Sequence, residues 1–124
     1  MIVKTLQLPK KTVVDRARWL RGSYGSNDDP SMLFRSIDDR LCCLGFGSKQ
    51  AGCAVEQLSG LLTPIDLQKW KSITIVGLVM GEKNSGLALM AMRINDDSKI
   101  DDTTRESKLT ELFTKHGYEI EFIN

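Results

Sequence analysis

Residues 103–123 read TTRESKLTELFTKHGYEIEFI, and two elements of different type stand back to back in them. Thr103-Thr104-Arg105-Glu106 has capping-box spacing, in which a hydroxyl and a carboxylate three residues apart satisfy the free N–H groups of a helix start. Leu109, Leu112 and Phe113 then form an apolar stripe at helical spacing. Glu111 and Lys115 stand four apart in the order that stabilises a helix, and Gly117 ends it. Beyond the glycine, Tyr118, Ile120 and Phe122 alternate with Glu119 and Glu121 until Ile123, the pattern of a half-buried strand. A helix passing into such a strand points to an α+β domain.

Upstream, residues 87–95 (LALMAMRIN) fit a helix through Leu87, Met90, Ala91 and Ile94, with a strand as the alternative. Residues 81–86 read as a loop, and residues 72–80 (SITIVGLVM) as a buried β-branched strand. Thr63-Pro64-Ile65-Asp66 is a helix start: a capping hydroxyl, proline at the first turn, and an acid at the positive end of the dipole. Trp70 is expected to pack near the end of that helix. Leu41, Leu44, Ser48, Ala51 and Val55 recur at helical spacing. Gly45 and Gly47 each weaken such a helix by about 1 kcal/mol relative to alanine, so their presence implies close approach of another backbone. Gly52 breaks it, and residues 54–59 make a further short turn of helix closed by Gly60.

Nearer the start, residues 32–34 (MLF) read as a strand followed by a turn at residues 37–40, and residues 23–31 (SYGSNDDPS) as an exposed loop. Asp15 is placed to cap a short helix ending at Gly22. Thr12, Val13 and Val14 favour an extended chain, and Pro9 stops any ladder that precedes them. Residues 1–10 read as an edge strand or a mobile terminus. The whole predicts α+β architecture: a small mixed sheet with helices packed mainly on one face, in a single compact domain over residues 1–124. The terminal strand is expected to pair near residues 12–14 or 32–34.

At 124 residues the chain can bury a core without staples. No apolar run approaches the roughly 18 residues of a membrane span, and residues 1–11 lack a secretory pattern. The three cysteines, Cys42, Cys43 and Cys53, leave one thiol over in any pairing, and the adjacent two would strain a bridge between them. A reducing, cytoplasmic setting is the simpler reading.

The order of several clusters resembles small uncharacterised bacterial proteins carried on mobile DNA, of the integron gene-cassette and phage type. These clusters are residues 19–22 (WLRG), 42–46 (CCLGF) and 95–97 (NDD), then Arg105-Glu106 with Leu109-Thr110, Leu112-Phe113 and His116-Gly117. The resemblance spans most of the chain after residue 11. It implies a bacterial cytoplasmic accessory protein and carries no catalytic residue with it.

Read as chemistry, the residues give little. Adjacent Cys42 and Cys43 lack the C-x₂₋₄-C spacing of a zinc site, and on a helix they point about 100° apart. His116 is the one histidine that could serve a cysteine nucleophile, and its place at a helix end gives it a structural role instead. Gly45-Phe46-Gly47-Ser48-Lys49 matches neither phosphate-loop pattern. The pairs Asp28-Asp29, Asp38-Asp39, Asp96-Asp97 and Asp101-Asp102 suit caps and turns better than calcium or magnesium. Residues 48–58 carry too short and uncharged a second helix for a groove reader. No catalytic, cofactor or metal site is read.

Charge distribution is the one functional lead. Residues 1–25 hold six cations (Lys4, Lys10, Lys11, Arg16, Arg18, Arg21) against Asp15, a sum of +5 in a chain of net +1, which leaves −4 elsewhere. Lys10, Lys11, Arg16, Arg18 and Arg21, with Trp19 and Tyr24, are the candidate surface for a protein partner or for nucleic acid, where cations meet phosphates and rings stack on bases. The opposing reading places Trp19 in the core and the cations on a solvated face. The favoured function is a non-enzymatic binding or adaptor domain with a protein partner. A homodimer through the terminal strand or residues 73–80 belongs to that reading. The alternatives are a nucleic-acid-associated regulator and an enzyme whose site the sequence hides.

Overall fold

The alternation near the end of the sequence produces the strand it predicts, and its partner lies more than a hundred residues away. The computed structural model describes residues 4–22, 32–78 and 81–124, with side chains placed from residue 87 onward in the last stretch. Among these residues the elements are β1 (Lys4–Gln7), β2 (Lys11–Asp15), a 3₁₀ turn (Arg16–Arg18), α1 (Cys43–Gln50), α2 (Val55–Leu58), α3 (Pro64–Lys71), β3 (Ile73–Val76), α4 (Gly81–Asp96), α5 (Asp102–Lys115) and β4 (Glu119–Ile123). β4 runs parallel to β2, with Lys11 opposite Glu119 and Val14 opposite Phe122. β1 runs parallel to β3, with Lys4 opposite Ile73 and Gln7 opposite Val76.

The α+β class holds, while the single mixed sheet is replaced by two parallel pairs, β1–β3 and β2–β4. Pro9 is the physical cause: with no N–H it cannot continue a ladder. Ahead of it, Leu8 N–H still donates to the Val76 carbonyl at 2.9 Å; behind it, the Lys10 carbonyl accepts from Glu119 N–H at 2.8 Å. One extended stretch of chain thus changes partners across one residue. On the β2–β4 pair, Thr12, Val14 and Ile120 are buried and Phe122 half-buried, while Lys11, Glu119 and Glu121 are exposed. α1 and α5 pack on this pair.

The glycines of α1 are explained by close contact, with backbone at Gly45 as expected and with side chains rather than backbone at Gly47. A Cβ on Gly45 would fall 1.8 Å from the Leu33 carbonyl oxygen, and one on Gly47 would fall 3.0 Å from Leu8 Cδ1. The last residue of α1 closes the open edge of β2. The Gln50 amide oxygen accepts from Val13 N–H at 2.8 Å, and its NH₂ donates to the Val13 carbonyl at 2.7 Å. A side-chain amide here imitates a neighbouring strand.

Several local expectations change. Residues 32–34 form no strand: Phe34 makes one isolated bridge to Ser59, and Leu33 N–H donates to the Leu61 carbonyl. Their neighbours are irregular, so single bonds replace a ladder. The helix capped by Asp15 ends at Arg18, short of Gly22. Residues 81–86 are the start of α4 rather than a loop, and residues 87–95 continue that helix. α5 is capped by Asp101, which accepts from Thr104 N–H at 2.7 Å, rather than by Thr103. A carboxylate is the stronger acceptor for an N-terminal amide. The strand predicted over residues 72–80 stops at Val76, because Gly77 turns the chain at φ +106. Trp70 is 66 % exposed instead of packed, since the buried stripe of α3 ends at Leu67. Thr63 caps α3 as expected, accepting from Asp66 N–H at 3.2 Å. The loop expected at residues 23–31 lies outside the described residues.

Candidate functional site

The basic segment is woven into the fold residue by residue. Lys10 Nζ donates to the Gly117 carbonyl at 2.7 Å, tying the start of β2 to the turn before β4. Lys11 forms an ion pair with Glu121 across the strand pair, and this carboxylate raises the lysine pKa. Arg16 makes a bidentate pair with Glu106 of α5, at 2.8 and 2.7 Å. That fork satisfies both planar groups at once. Arg18 Nε donates to the Asp39 carbonyl at 3.0 Å. Arg21 pairs with Asp102 at 2.9 Å and lies 4.7 Å from the centre of the Trp19 ring. Its hydrogen bond to Asp102 is the main reason that carboxyl sits below the usual range. Tyr24 lies outside the described residues.

Trp19 is the clearest departure from a stacking surface: it has no exposed area. Its indole N–H donates to Asn95 Oδ1 at 2.8 Å. The same oxygen accepts from Cys43 N–H at 3.1 Å, and Asn95 Nδ2 donates to the Leu20 carbonyl at 2.9 Å. One amide therefore joins the residues after β2, the first turn of α1 and the end of α4. Beside it lies Arg105, 3 % exposed. Its guanidinium donates to the carbonyls of Ile94 (3.0 Å), Asp97 (2.7 Å) and Ile100 (2.9 Å) and meets Asp102 at 3.3 Å. A buried cation is tolerable only when its donors are satisfied, and here they close the end of α4 and the turn into α5. Sequence reasoning placed Arg105 inside a capping box and gave Asn95 no role. A lone amide ending a hydrophobic stretch is the signal that was present.

The cysteines are poor nucleophiles. Cys42, Cys43 and Cys53 are free and buried. Burial pushes the Cys42 thiol up to about 12 and the Cys43 thiol well above its usual value. His116 caps α5, with its Nδ1 donating to the Leu112 carbonyl at 3.0 Å. Among the described residues no three His, Cys, Asp or Glu side chains gather as metal ligands. Asp38 pairs with Arg35 at 2.6 Å, Asp97 caps Lys99 N–H, and Asp101 caps α5. Asp28 and Asp29 lie outside the described residues.

The feature that the sequence reading missed is apolar. Ile65 of α3 is 54 % exposed, and Leu89 and Met90 of α4 are 46 % and 45 % exposed. Both flanks of α4 open into recesses. A notch of about 40 Å³ between α3 and α4 is lined by Ile65, Ala88, Leu89 and Met92. A groove of about 320 Å³ between α4 and α5 is lined by the apolar Met90, Ile94 and Leu112, with the exposed Lys108, Glu111 and Lys115 of α5 as a rim along one side. The signal was an excess: residues 87–94 hold seven apolar positions of eight, more than one buried helix stripe needs. A second exposed apolar group is Ile37, at the tip of a turn closed by reciprocal backbone bonds between Arg35 and Arg40.

No helix among the described residues is long and apolar enough to cross a membrane. Comparison with protein-family models, curated proteins and solved structures finds no match to this chain.

Proposed function

We propose that this chain is a non-enzymatic binding or adaptor domain that acts through protein–protein contacts, as a cytoplasmic accessory protein of a mobile element. The observation that carries this reading is the apolar outer side of α4, where Leu89 and Met90 stand exposed between two recesses. Exposed apolar surface rimmed by charge is what protein interfaces use. The buried, high-pKa thiols fit the same reading, since a cysteine nucleophile needs an accessible thiolate. The nucleic-acid alternative draws less support: the cations of residues 10–21 face carboxylates and carbonyls, and Trp19 has no free face for a base.

The test is capture with the immobilised chain from bacterial lysate, then reconstitution with the purified captured protein. Leu89→Glu is expected to weaken that complex at least tenfold while Lys11→Glu leaves it unchanged. Equal binding by both variants would remove the α4 surface from the function. Binding that falls steeply with salt and is lost with Lys11→Glu would favour nucleic acid instead.

A further inference from the structure

We infer that the groove between α4 and α5 is the contact surface of a homodimer, with α5 antiparallel to α5 of a second copy and Glu111 of each copy against Lys115 of the other. This deepens the protein-contact reading by naming the partner at one of its two recesses. A two-fold interface must be complementary to itself. A rim of one charge sign cannot be, whereas this rim alternates: Lys108, Glu111 and Lys115 lie along α5, beside the apolar Met90 and Ile94 of α4 and Leu112 of α5.

The spacing of the rim also selects a register. Lys108, Glu111, Leu112 and Lys115 stand at i, i+3, i+4 and i+7, so they share one side of α5. With the two-fold axis level with residue 113, position 111 faces position 115 of the other copy, twice over. Lys108 then lies beyond the end of the opposite helix and meets no like charge. An axis between residues 111 and 112 would instead place Lys108 opposite Lys115, cation against cation. Of these two registers the charges favour the first, and Met90, Ile94 and Leu112 supply the buried apolar area.

The test is sedimentation equilibrium of the full chain from low-micromolar to near-millimolar concentration, with circular dichroism to verify folding. The wild-type chain is expected to dimerise reversibly. Met90→Glu puts a charge among the apolar residues of the groove and should weaken the dimer about a hundredfold. Glu111→Lys and Lys115→Glu should each weaken it about tenfold. The double swap E111K/K115E should return to within about threefold of wild type, because it restores the cross-pair and keeps the pair within each helix. The swap set decides the matter even if Met90→Glu fails to fold. A chain that stays monomeric throughout overturns the inference, as does a dimer indifferent to these changes or a double swap no better than its parents. A monomer whose complex with another protein is still weakened by Leu89→Glu would end the homodimer and leave the protein-contact reading standing.

Discussion

Residues 10–21 and the outer side of α4 are opposites in what they leave unsatisfied. The first region is rich in cations, and its bonding groups are taken up by the chain itself: Lys10 by Gly117, Arg16 by Glu106, Arg18 by Asp39, Trp19 by Asn95. The second has little charge and leaves Leu89 and Met90 half in water. Charge marks the region that holds the fold together, and plain hydrocarbon marks the region with contact area to spare. Composition alone points the other way, because a cationic segment looks like a surface for something else.

Five changes probe this contrast. Removing the amide at the inner end of the polar region has the largest expected effect. Asn95→Ala strands the Trp19 indole N–H, the Cys43 N–H and the Leu20 carbonyl in the core, and should lower unfolding stability by about 3 kcal/mol or more in urea melts. A loss under about 1 kcal/mol would mean that water reaches the cluster. Thr12→Val should move the other way. Thr12 Oγ1 is buried without a hydrogen-bond partner among the described residues, so the isosteric methyl should stabilise by about 1 kcal/mol. An unchanged midpoint would show that the hydroxyl has a partner in solution.

Arg16→Ala should lower Tm by a few degrees at low salt, and by less at high salt, because the pair with Glu106 is partly exposed. Leu89→Ser should leave Tm nearly unchanged while weakening partner binding; a large fall in Tm would place Leu89 in the core and erase the contrast. Acid sensitivity follows the same division. The Asp38 and Asp102 carboxyls lie below the usual value, held there chiefly by hydrogen bonds from Arg35 and Arg21 respectively. A depressed carboxyl adds stability above its unfolded pKa of about 4, and that stability is lost as pH falls through the lower folded value. Asp102→Asn should therefore flatten the stability curve below about pH 4, and an unaltered slope would discount the Arg21 contact.

Much of the local structure was legible because it obeys short-range rules. Thr63, Pro64 and Asp66 start α3, and the alternation at residues 118–123 marks β4, each through chemistry contained in a few neighbours. Gly45 and Gly47 even announced a long-range contact, since two glycines in a helix need an outside reason. What stayed hidden depends on partners far along the sequence. Pro9 marked a break in the ladder, but which strands pair on either side of it depends on where β3 and β4 arrive. Residues 32–34 have strand propensity but only irregular neighbours. Asn95 and Arg105 read as a stray amide and a helix cation until three distant segments surround them. The apolar outer side of α4 was visible only as a surplus within residues 87–94, a signal that burial patterns alone would have absorbed.

The bond from Lys10 to Gly117 joins residues 107 apart in sequence, and the strand pair around it is equally non-local. Parallel pairing over such a span closes a long loop before it returns any stabilisation, which slows folding relative to helical proteins of similar size. The helix α5, with its cap and apolar stripe, can form early from local contacts, yet the face it packs on β4 stays open until that loop closes. The interval between collapse and closure is thus a time of exposed hydrophobic surface, when contacts between unfinished chains are most favoured.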